Sequence, residues 1–319
     1  MYKTYKINGQ AFFFKINKMA GETMIKSIRL CIILVLLLCF MINMNHSMIS
    51  YATTNPSVKA QKTFEQNINT WINNLKKQQG FHEWDHAYWK SYALGPGTHN
   101  RLVIVLNKKS KQEIGYLVVG ADSKGNYKLV EYGAGEYPLF SLNTLQTTFD
   151  VTYLKDLNIP DIKDLDQFAE RIYPNALEAI WKVNIDPYTF YIDAKSGEIY
   201  PIDSESINKT PREINYTLYA GNTSFIQHSL EKKIFDPFEK LKWVSNDPQP
   251  VNSYEDFQKT LHNHEEVTYT EKLFDQAIRM PLAVIGYHQW DEGQLYIALE
   301  QNGVRYIHFM SLYPYGQFF

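Results

Sequence analysis

The chain has 319 residues, is 45% hydrophobic and 21% charged, and carries a formal net charge of −2. That composition excludes a disordered chain and gives enough length for one large core or two ordinary ones. Aromatic residues reach 15%, with 23 tyrosines; such side chains favour pleated, half-buried surfaces, so a sheet-rich fold is expected.

The chain opens on a leader. Residues 30–42 (LCIILVLLLCFMI) form an unbroken apolar run, shorter than the roughly 20 residues that span a bilayer comfortably. Lys26 and Arg29 stand just before it and Ser50-Tyr51-Ala52 follows, the pattern of a secretory signal peptide with cleavage after Ala52. Met24 can start a signal of ordinary length, which makes the first 23 residues an extension. The alternative is an uncleaved signal anchor, a single membrane segment at residues 30–42 that holds the chain on the outer face of the cytoplasmic membrane. Both place the protein outside the cytoplasm, secreted or on the envelope. Residues 1–52 hold six of the 32 bases and one of the 34 acids, so the remainder has a net charge of −7. No basic excess is left to bind nucleic acid by bulk charge. Cys31 and Cys39 both fall in the leader. The mature chain is cysteine-free, which excludes disulfides, thiol catalysis and thiolate metal sites.

Beyond the leader, Phe64, Ile68, Trp71, Ile72 and Leu75 recur at spacings of three and four, which predicts an amphipathic helix over residues 61–77. Residues 81–92 (FHEWDHAYWKSY) read as a short helix or an irregular aromatic cover. Gly95-Pro96-Gly97 makes a turn. Strands follow at 101–106, 113–121 and 127–132, with a glycine turn at 122–125. Residues 165–171 look helical, and 176–184, 188–194 and 198–202 look like strands. Residues 203–224 are largely polar and mark a boundary; their N-x-S/T matches at Asn208, Asn215 and Asn222 matter only in a eukaryotic secretory route. Residues 225–243 mix helix and turn. Helices are expected at 254–262 and 271–280 and a strand at 281–287. A final hairpin over 294–309 turns at Gln301-Asn302-Gly303, the strongest short hairpin signal. The expected architecture is α+β, with helices packed on antiparallel β-meanders. Units fall at 60–140, 141–203 and 225–319, in a mature chain of two parts.

The hairpin at 176–202 (ALEAIWKVNIDPYTFYIDAKSGEIYPI) resembles the final strands of a PepSY-type module. Asp193, Ala194, Ser196, Gly197 and Glu198 match that family's turn, while residues 93–140 share its layout with Gly120-Ala121-Asp122 in place of the Asp-Ala pair. The resemblance covers residues 60–202 at most. It implies small extracytoplasmic α+β (PepSY/cystatin-like) units that bind peptides or proteases and bring no catalytic residues of their own.

Few constellations can carry chemistry. His82-Glu83-Trp84-Asp85-His86 is a literal H-E-x-x-H; on a helix, His82 and His86 would hold Zn²⁺ with Glu83 polarising a water. Asp85 and the lack of a third ligand motif count against it, and the other reading is two exposed histidines on a cover segment. His262 and His264 have a His-x-His spacing usable for metal on a strand, but in a polar stretch between expected helices they read as a solvated turn. Thr98 and His99 after the glycine turn offer backbone N–H groups to an anion, or simply lead into a strand. Glu131 and Glu136 flank two glycines, either as an acid pair for glycoside chemistry or as solvated loop carboxylates. The aromatics Tyr313, Tyr315, Phe318 and Phe319 either dock at the chain end or stack on a ligand. No G-x-S-x-G, phosphate loop or dinucleotide fingerprint occurs. The leading expectation is a non-catalytic binding protein without cofactor or metal, with a peptide, protease or wall polymer as partner. The alternatives are a zinc metallopeptidase using His82, Glu83 and His86, and a cell-wall carbohydrate binder.

Overall fold

The computed structural model describes residues 2–7, 10–15, 58–95, 99–122, 124–151, 168–208 and 225–319. The chain divides into two units, Met1–Ser57 and Val58–Phe319. In the first, β1 (Tyr2–Ile7) and β2 (Gln10–Lys15) form an antiparallel hairpin, with Tyr2 opposite Lys15 and Ile7 opposite Gln10. The expected start at Met24, the apolar run at 30–42, both cysteines and the cleavage point at Ala52 lie outside the described residues.

The second unit is mixed α and β, with mostly antiparallel strands. Helix α1 (Val58–Leu75) precedes β3 (Ala87–Ala93), β4 (Arg101–Asn107), β5 (Glu113–Ala121) and β6 (Tyr127–Ala134). Helix α2 (Leu142–Val151) precedes β7 (Ala169–Ile172), β8 (Ile180–Ile185), β9 (Tyr188–Asp193) and β10 (Ile199–Tyr200). After α3 (Ser204–Asn208) come β11 (Ile226–Glu231), α4 (Pro237–Lys240) and α5 (Lys242–Ser245). Helix α6 (Tyr254–Asn263) then precedes β12 (Val267–Leu273), β13 (Ile278–Trp290), β14 (Leu295–Glu300) and β15 (Val304–His308), and β16 (Gln317–Phe318) closes the chain. One motif thus occurs three times: a helix followed by a four-stranded up-and-down meander. The second meander is a sheet of its own, in the order β10-β9-β8-β7. The first and third join edge to edge, giving β16-β12-β13-β14-β15-β6-β5-β4-β3. The seam is short: Tyr132 faces Tyr306 and Glu131 faces Ile307. Strand β13 is long enough to pair with β12 along residues 278–284 and with β11 along 286–290.

The near-continuous apolar strands follow from cover on both faces of the large sheet. Side chains alternate along a strand, so Leu102, Ile104 and Leu106 enter one core cluster and Val103 and Val105 the other. The first cluster includes Leu145 and Phe149 of α2, Trp181 and Ile192 of the small sheet, and Phe257 and Leu261 of α6. The second includes Phe64, Ile68, Trp71 and Leu75 of α1, the stripe read from the sequence. Gly115 has φ +152, and a Cβ there would collide with the Trp84 ring and the Gly133 carbonyl. Only glycine lets Trp84 close over the sheet at that point.

Several expectations change. Residues 271–280 are not helical: they complete β12, turn through Phe274, Asp275 and Gln276 at positive φ, and begin β13. Thr268, Tyr269 and Thr270 suit a strand, and sheet pairing on both sides outweighs the weak helical spacing downstream. The expected helix at 165–171 is instead strand β7 from Ala169 on; residues 165–167 lie outside the described set. Helix α2 has little signal in the sequence, because its threonines and asparagine have weak helical preference. The polar boundary at 203–224 is described only through residue 208, and the chain on either side of it shares one sheet.

Candidate functional site

The H-E-x-x-H segment does not make a helix face. His82–Trp84 is one turn of 3₁₀-helix, and His86 has φ +62, which ends helical geometry. Trp84 is buried and donates to the Ile114 carbonyl at 2.8 Å. His82 and Glu83 are exposed, and the His86 side chain is 87% exposed, 3.4 Å from Asp85. Asp85 is itself bonded by Lys76 at 3.1 Å. Two histidines on a broken turn do not fit a zinc site. Among the described residues, no group of three or more His, Cys, Asp or Glu is placed to hold a metal. His262 and His264 lie exposed at the end of α6. Of the glycine loop, Gly95 and His99 are described and Thr98 is not; the Gly95 N–H donates to the Arg171 carbonyl on β7 at 3.1 Å.

Glu131 and Glu136 are not a pair, and Glu131 is not a loop carboxylate. Glu136 is exposed. Glu131 lies in β6 with 0% exposure and meets the guanidinium of Arg305, also buried, at 2.9 and 3.0 Å. The hydroxyls of Tyr116 and Tyr173 donate to the same carboxylate at 2.7 and 3.0 Å. Arg305 also donates to the Ala176 carbonyl and to Gln301 Oε1. The Gln301 amide in turn donates to Asp193 at 3.2 Å. Asp193 accepts from the backbone N–H of Lys195 and Ser196 and from the hydroxyls of Ser196 and Tyr200. Burial disfavours the Arg305 charge, but the Glu131 carboxylate more than offsets this and holds its pKa up. Burial and then Glu131 hold the Tyr116 proton on. Lys195 caps the junction, donating to the carbonyls of Tyr137 and Asn302 at 2.7 Å each; burial and the nearby Arg305 charge lower its pKa to about 8. The network ties all three meanders together; Glu131 and Arg305 neutralise one another, while the Arg305 Nε is buried without a hydrogen-bond partner. Asp193 of the recognised turn is therefore a member of the core.

The chain-terminal aromatics dock. Phe318 and Phe319 are buried, and Phe319 exchanges backbone hydrogen bonds with Thr268 at 2.8 and 2.9 Å. Tyr313 stacks on Phe309 at 5.2 Å, and only Tyr315 of the four is exposed.

An open edge remains. Strand β3 ends the large sheet, and among the described residues no strand pairs with the outer side of Ala87–Ala93; β7 reaches that side just beyond, where Ile172 forms a parallel bridge with Gly95. The Leu94 N–H donates inward to the Asn100 carbonyl, whereas the Gly95 N–H points outward to β7. Hydrogen-bonded pairs alternate along an antiparallel ladder. Tyr88, Lys90 and Tyr92 therefore bond to β4, while Ala87, Trp89, Ser91 and Ala93 turn their backbone groups outward. The two faces differ. Trp89 lies on the α1 side, where its indole donates to Asn69 at 3.1 Å and Phe64 meets its ring edge-on at 5.9 Å. Tyr88, Lys90 and Tyr92 lie on the opposite side. The Lys111 ammonium sits 4.9 Å over Tyr88 and the Arg171 guanidinium 4.6 Å over Tyr92. The period-two alternation in AYWKSYA was the signal for this strand, and the aromatic-rich helical spacing around it masked it. No family model, curated protein or solved structure matches this chain.

Proposed function

We propose that this chain is a non-catalytic binding protein of the cell exterior or envelope that captures an extended peptide segment by strand addition along β3. The observation that carries the reading is the seven-residue edge, with outward backbone groups at Ala87, Trp89, Ser91 and Ala93 and no strand beside them among the described residues. An exposed edge gives affinity through main-chain hydrogen bonds and selectivity through alternate side chains. The leader at residues 1–52 delivers the chain outside, and residues 30–42 are the membrane attachment if the signal is retained. Among the described residues, no helix is long and apolar enough to cross a membrane. The Asp193-Ala194 turn of the α2/β7–β10 unit carries the resemblance to PepSY-type modules, and the peptide- or protease-binding role which that resemblance implies supports the reading.

The experiment is a screen of extended dodecapeptides by fluorescence anisotropy, followed by N-methylation of each hit residue in turn. Strand addition requires loss of binding at alternate positions, those whose N–H faces β3. Ala93→Pro in the protein, which deletes one outward donor at an exposed residue, should weaken the same hits. Binding that tolerates N-methylation throughout would overturn the proposal.

A further inference from the structure

The side of β3 that carries Tyr88, Lys90 and Tyr92 is also a row of cations. Lys90 projects from the strand and is exposed. Lys111 reaches back from the β4–β5 hairpin over the Tyr88 ring. Arg171 comes from β7 and is sandwiched between Tyr92 and Trp181, 4.6 and 4.7 Å from the two rings. The aromatic rings fix two of these charges in place, which lowers the entropy lost when a partner binds them. Two carboxylates near the row pair with other lysines. Asp85 is held by Lys76, and Glu170 pairs with Lys182 at 3.9 Å. Glu113 accepts from the Ser141 hydroxyl at 2.5 Å and also faces Arg171. On the other side of the strand, Arg101 donates to Ser91 and lies over Phe64, against helix α1. The mature chain is acidic as a whole, so this positive row runs against its bulk charge.

A strand added to β3 places every second side chain on the Lys90 side, directly opposite or diagonal to these residues. We infer that the partner is an acidic extended peptide whose Asp or Glu residues recur at alternate positions, meeting Lys111, Lys90 and Arg171 in turn. The inference rests on the strand-addition reading and names its ligand chemistry. The seven residues of β3 span about 23 Å, long enough to align three or four such carboxylates.

The test uses three blocked heptapeptides, Glu-Val-Glu-Thr-Glu-Val-Glu and its Gln and Lys counterparts, titrated onto the full chain by fluorescence anisotropy. Exposed cross-strand ion pairs are individually weak. Three acting together should give the Glu peptide about a tenfold advantage over the Gln peptide at low salt, most of it lost in 1 M NaCl where screening acts within about 3 Å. The double variant Lys90→Glu/Lys111→Glu should reverse the order in favour of the Lys peptide. Both sites are exposed, and its circular dichroism should match that of the unaltered chain. If the Glu and Gln peptides bind equally and both remain sensitive to alternate N-methylation, the charge inference is overturned and strand addition stands. If none of the three binds, or N-methylation has no effect, strand addition falls and the inference falls with it.

Discussion

Replacing Glu131 by Gln tests the central network. The substitution keeps the shape of the side chain and removes its charge. Arg305, 1% exposed, is then left as a buried cation without its counter-ion. Breaking a buried pair from one side costs about 3–5 kcal/mol, a large share of the roughly 5–15 kcal/mol by which a domain is stable. The Gln carbonyl can still accept from the guanidinium, and the Tyr116 and Tyr173 hydroxyls can turn to accept from its amide, so the lower half of that range is expected. For a chain of this size, each kcal/mol moves Tm by about 2–4 °C, so a fall of about 10 °C should be seen. Urea unfolding followed by tryptophan fluorescence measures the change directly. The double variant Glu131→Met/Arg305→Met should lose less stability than the two single changes summed, because neither charge is then stranded. A Glu131→Gln chain within about 1 kcal/mol of the original, or additive single and double variants, would refute the network as the tie between the meanders.

Two buried histidines set acid sensitivity. Burial lowers the pKa of both His288 and His308 to about 3; His288 Nδ1 shares a hydrogen bond with the Tyr132 hydroxyl at 2.9 Å and His308 bonds Gln294 at 2.7 Å. The unfolded chain protonates near pH 6.5 and the folded one near 3, so stability is full above pH 6.5 and falls toward pH 3. At pH 5 the two together should cost about 4 kcal/mol. Acid titration of the urea midpoint reads this, and His308→Gln should flatten the slope. Lys195 acts at the other end: its folded pKa near 8 against about 10.4 unfolded means that the folded state sheds its proton first. The chain should gain stability between pH 8 and 10, and Lys195→Met should abolish that gain; a profile unchanged by the substitution would refute it. Gly115→Ala should destabilise the chain by several kcal/mol and quench-shift Trp84, since the added carbon meets both the ring and the Gly133 carbonyl; a silent variant would contradict the close packing.

Much of the fold is local and legible. The stripe of α1, strands β4 to β6, and the Asn302-Gly303 hairpin all follow from spacing and turn residues that lie side by side. What escapes is long-range. Glu131 and Arg305 stand 174 residues apart, so nothing near Glu131 in the sequence distinguishes a buried ion pair from a solvated loop acid. Its flanking glycines pointed to a loop, yet Gly133 is there so that the Tyr116 ring and the Val304 carbonyl can approach. The HEWDH segment was misleading for a related reason: the pattern is defined on a helix, and burial of Trp84 imposes a turn instead. Strand β3 alternates cleanly once it has β4 as a neighbour, but alone its aromatics fit either period.

The seam between β6 and β15 also orders events in time. Strand β6 exists about 170 residues before its neighbour on that side is available, so a partly made chain holds an uncovered strand edge. Glu131 sits on that edge as an unpaired carboxylate, and an inward-pointing charge repels a wrong strand as effectively as it later binds Arg305. The same side chain is thus a guard while the chain is incomplete and a fastener once it is finished. Pulsed hydrogen exchange should find the outer amides of β6 protected only after those of β5.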